Sequence, residues 1–381
     1  MNTRIYIFLA IIVIYSLSSC SNTVIEEIDD ASTINLKWNK SYTEDNFEIQ
    51  KIATDWCLSY LGATTAEQIE NKGITYNNPI ISININELDF DDNTITQLKK
   101  LHNVFKASEE YKAHNAFDLG KYITMTLGSS YHYYKIVGTP EHIDFYTTLY
   151  HFNELKGYVN NSSISLPEIH RVITYSKLEA QKKQAFIAQE INPNTLETKE
   201  FEVFQRMSNG QLKFAIYSVH GDLIPSSDKT VSNAGKPAKC LWCHETGIQP
   251  LFTEQDDFSN YLSHEQLKDT LSFYNTELRN YQDNIWQNPN IQNKQLHTNM
   301  ELSYISYMEP SAERLASEWN ISITEVENLL VNLPTHTHHE FPFLGTLYHR
   351  TDVIPFSPYT VILPPSYIRE IGDYEPNLLD N

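Results

Sequence analysis

An apolar run from Ile5 to Leu17, opened by Arg4, decides the compartment in which this chain folds. It is too short to span a bilayer comfortably and has the charged start of a secretion signal. No later segment is long and apolar enough to change that reading. The formal charge of −20 includes no basic block, so nucleic acid is not an expected partner, because phosphate binding needs clustered Lys and Arg. The 24 Tyr, 17 Phe and 5 Trp are more than a disordered chain carries. A length of 381 residues suits two or three domains and leaves room to enclose a cofactor.

The run closes on Leu17-Ser18-Ser19-Cys20, which resembles the lipobox of bacterial lipoproteins. The resemblance implies that residues 1–19 are a signal peptide and that Cys20 becomes a lipidated mature N-terminus. The protein would then sit on a membrane without crossing it, since several acyl chains on one cysteine anchor firmly. A soluble secreted protein cleaved nearby is the alternative. Ser21 is similar to the residue that follows the lipidated cysteine in outer-membrane-sorted lipoproteins. The expected location is therefore the cell envelope, lipid-anchored, at the periplasmic or surface face of the outer membrane. Residues 20–40 are polar, acidic and aperiodic, and read as a flexible tether.

Between Glu44 and Leu61 the residues Ile49, Ile52, Ala53, Trp56, Cys57, Tyr60 and Leu61 recur at helical spacing, and Gly62 stands where a helix would stop. Cys57 lies on that stripe as a small core residue. A second helical pattern spans residues 92–113, so the region 41–165 reads as mainly helical. After Pro167 the pattern changes. Short runs at Ile169–Tyr175, Gln184–Glu190, Glu200–Met207 and Leu212–Val219 are separated by Asn-Pro-Asn, Ser-Asn-Gly and His-Gly-Asp turns. The region 166–258 is thus an expected antiparallel meander, leading through a loop from Ile224 to Lys239 into Cys240. Region 259–381 returns to helical spacing at Leu267, Leu271, Tyr274 and Leu278, and again at Leu296, Met300, Tyr304 and Met308. Residues 311–330 superficially resemble a helix-turn-helix of transcription factors, but in an acidic exported chain they read as a plain helical hairpin. The tail from Pro334 is rich in Pro, His and Tyr. The fold class is α+β: a helical N-terminal part, an antiparallel β meander leading into the motif loop, and a helical C-terminal part.

Cys240-Leu241-Trp242-Cys243-His244 is the chemically informative stretch. It resembles the attachment signal of c-type cytochromes, in which two thiols add to the two vinyl groups of one haem and the histidine ligates the iron. The resemblance implies one covalent haem c on Cys240 and Cys243, with His244 as axial ligand. Two other readings use the same residues. A redox dithiol needs the Cys pair but normally opens a helix in a βαβ setting. Zinc would need a second Cys pair or its equivalent, which the sequence lacks. Residues 200–258, with Phe214, Tyr217, Gly221, Phe252 and Phe258 around the motif, also resemble the cytochromes c-prime-beta, which hold haem against an antiparallel sheet. This chain departs from them by continuing far past the motif and by offering no matching crosslink lysine.

The ligand opposite His244 decides the haem chemistry. Met300 or Met308 are candidates for that sixth position, with Met207 and Met125 behind them. Each competes with a core-filling role. His336, His338, His339 and His349 could hold a metal with Glu340 or remain an exposed loop, and His220 and His264 flank the motif. No Gly-x-Ser-x-Gly, glycine-rich phosphate loop or His-Glu-x-x-His occurs, so hydrolase, nucleotide-dependent and zincin readings lack support. The expected function is electron transfer by a membrane-anchored monohaem protein, served by a redox partner protein or a small-molecule redox substrate. The alternatives are a haem enzyme or ligand-binding protein with an open distal site, and a haem-free binding lipoprotein stapled by a Cys-x-x-Cys disulfide.

Overall fold

The structure, a computed structural model, describes residues 31–64, 73–179 and 183–380. The signal segment and Cys20 lie outside the described residues. Alternation in Thr33–Lys37 (β1) buries Ile34 and Leu36, and the strand pairs antiparallel with Ile80–Asn84 (β3) and parallel with Phe117–Asp118 (β4). With Ile74–Asn77 (β2) these form a sheet of order β2-β3-β1-β4. One expectation is corrected here: the tether assigned to residues 20–40 contains the core strand β1, whereas region 41–165 is mainly helical as expected, with β2, β3 and β4 set between its helices. A short strand whose partner lies far along the chain leaves no local period to read.

The helices of this part follow their sequence signals. Phe47–Tyr60 (α1) is capped by Asn46, whose side chain accepts from Glu48 and Ile49 N–H, and it ends at Gly62 with φ +111°. Asp92–Ala107 (α2) and Glu109–His114 (α3) are split at Ser108, which ends one and caps the next. Leu119–Thr126 (α4), Ser130–Ile136 (α5) and Asp144–Leu149 (α6) complete the set.

The meander appears as expected: Gly157–Val159 (β5), His170–Tyr175 (β6), Ala185–Ile191 (β7), Thr198–Arg206 (β8), Leu212–Ser218 (β9) and Leu223–Ile224 (β10) form an antiparallel sheet of order β10-β9-β8-β7-β6-β5. Register pairs Ile173 with Ala188, Ala188 with Glu202, Phe186 with Phe204, and Phe204 with Phe214. Directly paired residues share a face, so Arg171, Ile173, Phe186, Ala188, Glu202, Phe204 and Phe214 project together.

Beyond β10 the chain enters Pro237–His244 (α7), with Pro237 in the first turn where its fixed φ and missing N–H suit a helix start. Cys240 therefore sits inside a helix packed on β9, not at the end of a loop as expected. His264–Ile285 (α8) starts with a capping box at Ser263 and Gln266. Pro289–Gln292 (α9) and Thr298–Met308 (α10) follow, and α10 packs on α1 and α4. Ala312–Trp319 (α11) and Ile323–Leu329 (α12) form the expected hairpin. Leu315, Trp319 and Val326 close on Tyr348 and on Val353 from Arg350–Val353 (α13), so its apolar faces are used internally. The tail wraps as well: His132 Nε2 accepts from Leu378 N–H, and Lys236 pairs with Glu375. Ser32–Asn381 is one compact unit, so the sequence regions mark elements within it. Among the described residues no helix is long and apolar enough to cross a membrane.

Candidate functional site

Helical geometry brings residues three and four apart to neighbouring positions, so α7 turns Cys240, Cys243 and His244 toward one side. Cys240 and His244 both line a small cavity of about 80 Å³ between α7 and the six-stranded sheet. The sheet contributes Phe186, Phe204 and Phe214, α8 contributes Leu271, and the loop after α7 adds Leu251 and Phe252. Cys243 opens on an adjoining space of about 30 Å³, which shares Cys240, His244, Arg171, Glu202 and Leu251 with the first.

The imidazole of His244 lies 5.2 Å from the Phe214 ring and 5.5 Å from that of Phe204. Left-handed backbone at Glu245 and Thr246 turns the chain back, so that His244 Nδ1 donates to the Gly247 carbonyl at 3.2 Å. This hydrogen bond fixes the tautomer and leaves Nε2 for another partner. Burial pushes the imidazole down to about 4, which keeps it in the neutral, metal-ligating form at pH 7. Both cysteines are free thiols. Burial, followed by the charge of Glu202, raises Cys240 well above the usual thiol range, and burial likewise raises Cys243. An attacking redox thiol has the opposite shift.

The rim of the cavity is ionic. Arg171 donates to Glu190 at 2.5 Å and to Glu202 at 2.9 Å. Ser165 binds Glu190, Ser232 binds Glu202, and the Asp228 N–H binds Glu200 at 2.7 Å. One guanidinium thus serves two carboxylates, Glu190 and Glu202, while Glu200 is held by a backbone N–H and Ser232. Burial, the largest cause in both, pushes Glu190 up to about 7 and Glu200 up to about 8; at Glu190 the Arg171 charge opposes it. Sequence reasoning missed this rim. The usable signal was Glu200 and Glu202 recurring at alternate positions of a strand, on the same face as Phe204.

Among the described residues, neither Met300 nor Met308 lines the cavity at Cys240 and His244, and Lys239 lines the adjoining space. Met300 is buried on α10, which packs on α1 and α4, and Met308 lines a different cavity. Met125 and Met207 belong to the general core. The helical spacing was real, but it takes Met300 into the helix packing and Met308 to the edge of that other cavity. His220 is exposed, and His264 stands behind Phe252 with ring centroids 6.3 Å apart.

The histidine tract is pinned by ion pairs. His336 Nε2 lies 2.6 Å from Glu309 and stacks on His349, His338 lies 4.0 Å from the same carboxylate, and Glu340 pairs with Arg369. Among the described residues no group of three or more His, Cys, Asp or Glu converges to hold a metal. Of the residues carrying the c-prime-beta resemblance, Phe214 and Phe252 line the cavity, while Tyr217 binds the Pro140 carbonyl and Phe258 packs on Tyr158. No protein-family model, curated protein or solved structure matches the chain.

Proposed function

We propose that this chain is an exported, lipid-anchored c-type haem protein whose sixth coordination side is open to a small ligand or redox substrate. The observation that carries the reading is the shared cavity: Cys240 and His244 open together on a largely apolar space walled by Phe186, Phe204 and Phe214, to which the described lining brings neither a methionine nor a second histidine. Cys240 and Cys243 would hold the group by adding their S–H bonds across its vinyl groups, with no leaving group, and His244 Nε2 would ligate the iron. Haem c, when bound, would supply an iron that changes oxidation state and can take up a small ligand.

The chain's own residues do the rest. Gly247 orients His244, Phe204 and Phe214 fence its ring and exclude water, and Arg171 with Glu202 provides the polar edge of an otherwise apolar chamber. A wall of aromatic rings on an antiparallel sheet also agrees with the c-prime-beta resemblance. Electron transfer to a partner protein remains the second use of the same centre. It is favoured by Trp242, which is half-exposed between the two cysteines with the Arg369 guanidinium 4.6 Å from its ring centroid. Lipidation at Cys20 would hold the protein at the outer membrane, on its periplasmic or surface face.

The test is a pyridine-haemochrome spectrum with intact mass, on protein matured with a c-type haem system, wild type beside the Cys240→Ala/Cys243→Ala double variant. Covalent haem in the wild type alone is expected, together with a ferrous spectrum that changes on adding carbon monoxide. A colourless wild type, under conditions that mature a control cytochrome, would remove the haem reading. Covalent haem indifferent to carbon monoxide would instead leave an electron carrier with a closed sixth site.

A further inference from the structure

The cavity at Cys240 and His244 uses one face of the six-stranded sheet, and a larger one lies against the other. Strand alternation sends Phe204 and Phe214 toward α7, so their neighbours Gln205 and Lys213, which pair with each other in register, project from the reverse face. There both line a cavity of about 380 Å³, walled on its far side by Val137 and Gly138 after α5 and by α6. A space of this size falls within the roughly 300–1,000 Å³ of small-molecule sites.

Its walls differ in kind. On one, Phe145 and Leu149 of α6 leave 47% and 41% of their surface exposed. Residues four apart share a helix face, so the two side chains present one apolar patch to the cavity. On the other wall stand two cations, Lys183 and Lys213. Lys213 Nζ donates to the Val137 and Gly138 carbonyls at 2.9 and 3.0 Å, where the left-handed turn at Gly138 follows α5. Those bonds fix the ammonium at the edge of the cavity and use two of its three hydrogens. The Gln205 amide donates to Tyr150 OH, so the phenol has its own hydrogen to give. Among the described residues Asp91 is the one carboxylate in the lining, and its Oδ1 accepts the Thr94 N–H at the start of α2. The cavity is thus cationic, in a chain of formal charge −20.

This pairing of walls selects a ligand class. Two ammonium groups and a phenol O–H are donors for a carboxylate, a basic ligand would meet like charge, and a purely polar anion would leave the apolar patch unused. We infer that the cavity between the reverse face of β8 and β9 and helix α6 binds a small organic carboxylate, its charged end held by Lys213, Lys183 and Tyr150 and its apolar body on Phe145 and Leu149. At roughly 30 Å³ per non-hydrogen atom, the share of one water in the liquid, the space takes about a dozen such atoms. Burial, then the charge of Lys183, lowers Lys213 to about 8 with Asp91 opposing, and a bound carboxylate supplies the negative charge that this ammonium lacks. The site stands apart from the proposed haem centre, since it shares no lining residue with the cavity at Cys240 and His244.

Calorimetric titration of the full chain, with and without haem, tests this with 3-phenylpropionate and its uncharged isostere 3-phenylpropanamide. The acid should bind saturably at one site and about tenfold more tightly than the amide at pH 7, the worth of one charge-assisted hydrogen bond. Lys213→Gln should remove most of that preference. In the wild type the acid's affinity should fall between pH 7 and 9 as Lys213 loses its proton, and in Lys213→Gln it should not. Should Lys213→Gln fail to fold, two substitutions at exposed positions carry the test. Lys183→Gln should weaken the acid about threefold and leave the amide unchanged, and Phe145→Ala should weaken both alike. Equal affinity for acid and amide, no saturable binding at millimolar acid, or binding indifferent to these substitutions would each overturn the site.

Discussion

The two sheets use the same alternation and reach different ends. In the four-stranded sheet Ile34, Leu36, Ile81 and Ile83 face one way against helices and are fully buried, so that face is closed. In the six-stranded sheet the corresponding face carries Phe186, Phe204 and Phe214 beside Arg171 and Glu202, and it meets α7 across a cavity. Aliphatic side chains interdigitate to near-crystalline density, whereas aromatic rings beside an ionic row leave space. A closed face contributes stability, and an open one keeps room for a ligand.

The largest expected effect is at the ionic rim. Arg171→Gln leaves Glu190 and Glu202 without their shared cation and should cost about 3–5 kcal/mol at neutral pH by urea denaturation. The loss should shrink in acid as the carboxylates take up protons. A pH-independent loss would mean that packing of the arginine, and not its charge, holds the sheet.

Truncation then separates the two faces. Ile83→Ala in the closed sheet should cost about 2–5 kcal/mol, while Phe204→Ala in the haem-free protein should cost less than about 3 kcal/mol because one side of its ring already borders empty space. If Phe204→Ala proved the more damaging, the second face would be as closed as the first.

A pH profile sharpens the contrast further. Glu200 is held above its unfolded value, so the folded state retains a proton that the unfolded chain releases between about pH 4.5 and 8. Its contribution is fully present below that window and is lost as pH rises through it. Glu200→Gln should flatten this decline by on the order of 1 kcal/mol per pH unit, read from denaturation midpoints across the window. Parallel profiles for variant and wild type would show that Glu200 is ionised throughout.

The smallest effect is expected from the methionines. Met300→Leu and Met308→Leu should leave the ferrous and ferric haem spectra unchanged and cost less than about 1.5 kcal/mol. A spectral change in either variant would bring the sixth ligand back to α10.

The meander strands were legible because alternation and turn residues are local properties, and β6 to β9 fall within a residue or two of their expected bounds. The helices at α1, α8 and α10 were legible for the same reason. β1 was not: five residues within an acidic stretch become a strand only because β3 and β4 arrive beside them. At the site, the spacing of Cys240, Cys243 and His244 announced itself, but the Arg171 and Glu202 rim did not, since it depends on which face of the sheet lies beneath α7.

By itself, then, the sequence determined periods, caps, turns and the donor set on one turn of helix, all of which depend on neighbours a few residues away. Tertiary structure alone decided what those donors face, that Met300 packs between helices while Met308 borders a different cavity, and that Arg171 meets Glu190 and Glu202 beside α7. The physical reason is that burial and pairing are properties of contacts between distant segments, and no local pattern records which distant segment will supply the other wall.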